Sequence, residues 1–593
     1  RGDRLSARER LGLVGLAMHR ARQGARARVR RSRLMRWRYR TGAADDIVIS
    51  PTYLRPADPS FAEELAHGGF GLEGYIAQIG DGSPFEVEPP SESWSRTLHG
   101  FAWLRHLEAA HTADTRDVAR SLVKDWLRLP RGSQMWQPEI MARRIISWVT
   151  HESLLLDWAE PDDHDAIMRS LELQATDLRM SWLNAPDGYP RLLALIGLVH
   201  ADMCIAGQDA HLSYSQSLLA EEFERQVLPD GGHVSRHPWV GVELLLDMLP
   251  LRPCFPAREV KLDPRITAAI ERMMGMLHHL RLGDGALGRF NGMGAADRGT
   301  LTTVMGYVAS AARAAPGIHG PSGYVRLARS ETAIVMDVGR PPAFELAGSS
   351  HAGCLSFEMS AGDHLLFVNL GAPRPSEAER AAASRATASH NTLCLAEQSS
   401  AKLIRNEKLE QRLGAPPLSL TGPLTCETSE DASGVAAVAA HGGYLDRFGL
   451  AHTRFMALSA DGRRLAAKDK LASLSGDLRL ARDVPFAIHF HLHPDVLPTL
   501  LENADAVDLL LANGEHWRLS ASGAAISLEE SLFMAHPAGP RPTEQIVLRG
   551  LCGGSCEVTW VVERTDMAEG THPTPEPQAE AQPEPADVEP GSA

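Results

Sequence analysis

No apolar run in the 593 residues approaches the roughly 20 that a membrane-spanning helix requires, so no transmembrane helix is expected. A basic excess is missing too. The net charge of -14 excludes nucleic acid as the main partner, because a phosphate-binding surface shows as a surplus of Lys and Arg; a local basic cleft for an anionic polymer stays compatible with it. Cysteine is scarce: of seven, none is spaced as CxxC or as a zinc ribbon, and only Cys552 and Cys556 lie near one another, so the set reads as reduced, buried thiols. No pair of carboxylates stands out on a plausible loop, which weighs against glycoside hydrolysis. A secretory signal is not visible either, since LGLVGLAM is short and lacks a small-residue cleavage site. The expected location is cytoplasmic or peripheral to the inner membrane, with the periplasm as the alternative, and the initial Arg leaves a processed or truncated beginning open.

What the chain has is a change of texture partway along. Residues 1–60 open with RGDRLSARERLGLVGLAMHRARQGARARVRRSRLMRWRYR, a basic segment that reads either as an amphipathic helix in peripheral contact with an anionic membrane or as a solvated tail. From about residue 90, SWSRTLHGFAWLRHLEAAH, ARSLVKDWLRL, MARRIISWVTHESLLLDWA and HDAIMRSLELQATDLRMSWL repeat apolar residues at three- and four-residue spacing, and RITAAIERMMGMLHHLRL continues the series. A helical domain over 61–320 is expected. After it, YVRLARSETAIVMDVG, CLSFEMSAGDHLLFVNLG and PFAIHFHLHPDV are short, alternating or β-branched segments, which predicts an antiparallel β-sandwich or stacked β-sheets over 321–565. Asp461 and Gly462 mark a hairpin turn there. Residues 566–593, rich in Pro, Glu and Ala, are expected to be disordered. Helices followed by sheets favour a long cleft at the junction, where ligands bind.

As a set, LHGFAWLRHL, PDGGHVSRHP, RFNGMG, HAGCLSFEMSAG, RATASHNTL, HGGYLDRFGLAHTR, FHLHPDV and EQIVL resemble the heparinase II/III-like polysaccharide lyases over most of the chain. The resemblance implies a multidomain α-then-β fold: an incomplete α/α toroid, then antiparallel β-sheets, with the substrate groove between them. It also implies β-elimination in an acidic, uronic-acid-containing polysaccharide or oligosaccharide. A base removes the C5 proton, an acid assists departure of O4, and a cation or donor neutralises the carboxylate. No organic cofactor is required. The alternative is a non-catalytic glycan-binding or envelope-assembly protein that retains the fold.

The resemblance places the loop GGHVSRHPWV at the cleft, with His233 exchanging protons, Arg236 holding a carboxylate, and His237 as a substrate contact. His351 is implied as a carboxylate binder or proton-transfer group. Tyr444 is a candidate acid or base with Arg447 beside it to lower its pKa, against the alternative of a tyrosine packed in a turn. Arg191, in DGYPRLLAL, stands where relatives carry an Asn or His neutraliser, and no Tyr follows Gly232 closely as it does in relatives. His390 matches the family's HNT motif. Relatives bind zinc through such histidines and an Asp; Asn369 stands in that place here, so no metal is expected. His489, His491 and His493 alternate along one strand face and are expected to border the groove or hold sheet contacts. Elimination happens within one sugar unit, so the loop at His233 and the motif at His351 are expected to face one another. Both Arg236→Ala and His351→Ala are then expected to leave the thermal midpoint nearly unchanged.

Overall fold

The computed structural model describes residues 44–132, 135–308, 318–405, 415–473, 483–503 and 505–565, with Met18 and Glu410. Most of the basic N-terminal segment and all of the 566–593 tail, the subjects of two expectations above, lie outside the described residues.

Helices dominate from Ser60 to Val308 and strands from Tyr324 to Thr565. The helical domain is a succession of amphipathic and buried helices wound as an incomplete toroid. In Ala113–Arg128 the buried positions Thr115, Ala119, Leu122, Val123 and Trp126 fall three or four residues apart, one face of the helix. The helix Tyr189–Cys204 is buried from Arg191 onward, which places it centrally between Pro138–Thr150 and Asp209–Gln226. Among the described residues five helices carry Pro at the first or second position, where its missing N–H has no helical acceptor to lose. The stretch expected as one helix from Ser93 is two, Glu92–Gly100 and Leu104–Ala109. The break is at Phe101, in the left-handed region at φ 58°, where burial among Trp103, Trp126 and Trp148 overrides helical continuity.

A short hairpin, Gly69–Leu72 with Tyr75–Gln78, was not expected from sequence. Its turn reaches the β-domain: the Tyr75 hydroxyl donates to the Pro375 carbonyl at 3.2 Å.

The β-domain stacks an eight-stranded sheet and two four-stranded sheets, all antiparallel and none closed into a barrel. Alternation explains the packing: in Arg464–Ala472 every second side chain, Leu465, Ala467, Asp469 and Leu471, is buried. Gly462, at φ 72°, turns Ala451–Ser459 into Arg464–Ala472. Phe357, Phe367, Phe490 and Trp560 fill the space between sheets, Phe357 stacked on Trp560 at 5.6 Å. Within this apolar core lies one ionic hub. Asp469 receives Arg454 Nε at 2.8 Å and Nη2 at 3.0 Å, a 2.7 Å contact from His452 and the Trp560 indole at 2.8 Å.

Candidate functional site

The loop after the helix Asp209–Gln226 folds back on itself, and its glycines explain how. Gly231 is at φ 88°, and a Cβ there would meet the Arg272 carbonyl oxygen at 1.9 Å, so backbone packs on backbone. His233 is thereby buried, with Nδ1 2.7 Å from the Ser235 hydroxyl and Nε2 2.7 Å from Gln226 Oε1. Arg236, at φ 62°, sends its guanidinium across the domain junction. It donates to the Ser322 carbonyl at 2.7 Å and to those of Gly323 and Arg340 at 3.2 Å, and pairs with Asp337. Gly339 makes room, since a Cβ there would lie 2.3 Å from the guanidinium carbon. His237 caps the helix Pro238–Leu251 by accepting the Trp239 N–H at 3.1 Å.

The second motif meets this loop through a third, 288–294. Asn291, in the left-handed region at φ 48°, donates to the Tyr324 hydroxyl at 2.9 Å and to Asp337 at 3.0 Å, and accepts the His351 N–H at 3.3 Å. The Tyr324 hydroxyl closes the ring on the Arg236 carbonyl. A Cβ on Gly292 would lie 2.8 Å from Ser349 Cβ and 3.2 Å from the His237 ring. The two sequence segments therefore meet, around Asn291, Tyr324 and Asp337, none of which was singled out from sequence. RFNGMG contains the first, but its register against the other two appears only in the fold.

His351 and His390 face one another, Nδ1 to Nε2 at 3.0 Å, and His390 Nδ1 donates to the Ala386 carbonyl at 2.7 Å. Asn369 is spent elsewhere. Its amide donates to the Arg289 carbonyl at 3.3 Å and its oxygen accepts the Asn391 N–H at 3.0 Å. Among the described residues no group of three His, Cys, Asp or Glu side chains is arranged to hold a metal ion.

The remaining candidates are placed apart from this ring. Tyr444 is 0% exposed and donates its hydroxyl to the Leu393 carbonyl at 2.9 Å; burial pushes its pKa well up, against the lowering expected from Arg447. Arg447 lies over that ring but donates to the Ser399 carbonyl. Arg191 turns back to Asp187 at 3.3 Å and the Ala185 carbonyl at 3.3 Å. His489 and His491 share a strand face with rings parallel at 5.9 Å, bound to Gln545 and Ser531, while His493 lies past the strand end beside Asp495.

Toward the toroid, the half-buried His237 and Trp239 lead to a polar floor that sequence reasoning also missed. Trp239 Nε1 donates to Glu243 at 3.0 Å. Glu243 and Asp247 bind Arg55, Asp247 binds Arg143 at 2.7 and 2.9 Å, and Arg143 donates to the Tyr189 hydroxyl at 2.8 Å. The i, i+4 pair of acids in GVELLLDML was the available signal, masked by the helix's apolar character. Beyond loop 288–294, a cavity of about 680 Å³ is lined by Arg289, Arg298, His493, Phe533, His536 and Arg541 among others.

Burial sets the protonation of the site's histidines. His351 is held well below the ordinary imidazole range, by burial first and by the neighbouring His390 second; burial brings His390 and His237 to about 4 and His233 to about 3. All are neutral in the fold at neutral pH. Below about pH 6.5 the unfolded chain gains protons that the folded chain refuses, so the stability they contribute is complete above that value and declines as the pH falls toward the folded pKa values. The thermal midpoint is expected to be level above about pH 7 and to drop steadily below about 6.5, with a shallower drop in His390→Gln. A midpoint constant down to about pH 5 would show that these rings titrate freely in the native state.

The toroid joined to stacked antiparallel sheets is the architecture of the heparinase-type polysaccharide lyases. It aligns with heparinase III at a TM-score of 0.69 and 14% identity, over 90% of this chain and 88% of that one. It aligns with heparan sulfate lyase HepC of Pedobacter heparinus at 0.59 and 15%, over 94% and 89%. Residues 315–561 match the family model described as Heparinase II/III-like, C-terminal. It is also 27% identical over 508 residues to FtsZ-localized protein C of Caulobacter vibrioides (strain NA1000 / CB15N), a match covering 84% of this chain and 86% of the relative.

Proposed function

We propose that this chain keeps the lyase fold without the elimination chemistry and acts as a non-catalytic glycan-binding or envelope-assembly protein at sites marked by FtsZ. The observation that carries the reading is where the reactive groups are used. Elimination needs a neutraliser, a base and an acid with free valences at one sugar. Arg236 is committed to Asp337 and three carbonyls, both ring nitrogens of His233 are occupied, and Tyr444 is sealed against Leu393. The relative's printed name supports association with FtsZ, and the cavity bordered by arginines offers room for an acidic sugar. In this reading the protein works in the cytoplasm or at the inner membrane surface.

The test has two arms. Incubated with a panel of acidic polysaccharides, the protein is expected to release no ultraviolet-absorbing unsaturated uronate. Mixed with FtsZ polymers it is expected to co-sediment in proportion to polymer. Absence from the pellet together with new absorbance would reverse the proposal.

One observation favours the second reading, a lyase acting on a uronic-acid-containing polysaccharide. His351 Nε2 has no hydrogen-bond partner among the described residues, and it lies beside the half-buried His237 that opens on the polar floor. There His351 would move the proton, with His237 and His390 as the neighbouring substrate contacts, and His351→Ala would abolish the absorbance signal.

A further inference from the structure

Within the helical domain, the end of the helix Ala113–Arg128, the loop after it and the helix Pro161–Ser181 surround a cavity of about 220 Å³. Leu129, Met135, Trp136 and Leu173 are among its apolar walls, its polar groups are Arg131, Arg169 and Ser170, and no carboxylate is among the described residues that line it. The exposed Arg131 has no ion pair or hydrogen bond among the described residues; its guanidinium carbon lies 5.1 Å from the centre of the Trp136 ring. Arg169 is held only by Asp165, at 3.5 Å and with both side chains more than half exposed, so water competes for it.

A buried cation stands behind this wall. Arg144 has no solvent exposure, and its guanidinium carbon lies 4.2 Å from the Trp126 ring and 5.7 Å from the Trp136 ring. It donates to Gln174 at 2.7 Å and to the His99 and Met135 carbonyls at 2.8 and 3.1 Å, while Nη2 has no partner among the described residues. No carboxylate is paired with it, and burial alone pulls its pKa down to about 9. Such an uncompensated charge raises a positive potential across the low-dielectric wall around it. The hydrogen-bond chain from Arg144 also reaches the cavity: Gln174 donates to the Ser170 hydroxyl at 3.1 Å, which leaves that hydroxyl's own proton for an acceptor there.

We propose that this cavity binds a small organic carboxylate with an apolar body, its charge held by Arg131 and Arg169 with Ser170 as a further donor, and its body against Leu129, Met135 and Leu173. Arg144 acts through its field, since solvent reaches none of its atoms. The apolar walls select against an inorganic oxyanion, which would lose hydration there and recover only the donors of three side chains. The site is separate from the domain junction and stands whichever reading of that junction holds.

The full-length protein is titrated with benzoate in a calorimeter at low ionic strength. Saturable binding of one benzoate per chain is expected, with benzamide, which has the same shape and no charge, and inorganic phosphate each weaker by about tenfold or more. Arg131→Ala, at an exposed position where folding is checked by an unchanged melting curve, is expected to weaken benzoate by about tenfold, the loss of a charge-assisted hydrogen bond. Arg128→Ala removes the same charge from a neighbouring exposed position outside the cavity and is expected to leave the affinity unchanged. The proposal is overturned by absence of saturable benzoate binding, by equal affinity for benzamide or phosphate, or by an Arg131→Ala effect no larger than that of Arg128→Ala.

Discussion

Arg236→Ala is expected to lower the unfolding free energy by about 3–5 kcal/mol, the range for breaking a buried ion pair by removing one partner. The sequence expectation of an unchanged midpoint assumed a wet cleft, and the structure corrects it. The Arg236 and Asp337 side chains are nearly excluded from solvent, and removing the guanidinium strands the Asp337 carboxylate with Asn291 as a donor. Three carbonyls, of Ser322, Gly323 and Arg340, lose a donor as well. The backbone offers no relief, since Ala is disfavoured at the left-handed φ of 62° as Arg is. Chemical denaturation followed by tryptophan fluorescence checks the size. Adding Asp337→Ala to Arg236→Ala is expected to recover part of the loss, because the stranded charge goes with it. A single variant within about 1 kcal/mol of wild type would mean that water reaches the pair and that the loop is a wet surface after all.

Asp469→Ala is the second large effect and acts inside the β-domain. It leaves the Arg454 guanidinium, whose side chain has no solvent exposure, without its counter-charge, and removes the acceptor for His452 and Trp560. The same 3–5 kcal/mol applies to the pair, and about 1–3 kcal/mol more to each polar group left unsatisfied. That approaches the whole stability of an ordinary domain, about 5–15 kcal/mol, so the variant is expected in the insoluble fraction. Asp469→Asn keeps the volume and one acceptor and is expected to remain soluble with a lowered midpoint. Soluble expression of Asp469→Ala with a wild-type melting curve would remove the hub from any account of why the sheets stack. The surrounding contacts make that outcome unexpected: Arg454 also donates to the Leu355 and Asn391 carbonyls, at 2.8 and 2.7 Å, tying the sheet to the His351 and His390 segments.

Periodicity carried the fold because burial on one face is a local property. Apolar residues three or four apart in Ala113–Arg128, or every second residue in Arg464–Ala472, declare their element without reference to anything distant. The junction is different in kind. Asp337 lies about a hundred positions from Arg236, and nothing near either residue announces the other. A polar residue in a loop motif reads as chemistry whether its partner is water, substrate or a buried carbonyl. His233, Arg236 and Tyr444 turned out to have protein partners for their polar groups, and only the fold supplies that information. Tyr189 and Asn291 were passed over for the opposite reason: one precedes a helix proline, the other sits between Phe290 and Gly292, and both contexts look structural. His237 shows the limit plainly, since a helix cap and a substrate contact demand the same residue at the same place before Pro238.

The hairpin contact from Tyr75 to Pro375 has a mechanical consequence. The domains are also fastened at the ring of Arg236, Asn291 and Asp337, by the buried pair of Arg289 with Glu358, and by Gly283, whose N–H donates to the Ser360 hydroxyl. Fastenings at several separate places oppose rocking as well as sliding, so motion of one domain against the other must first part some of them. The hairpin, a single hydroxyl-to-carbonyl bond at an exposed tip, is the one that gives way first under load, while the buried fastenings hold.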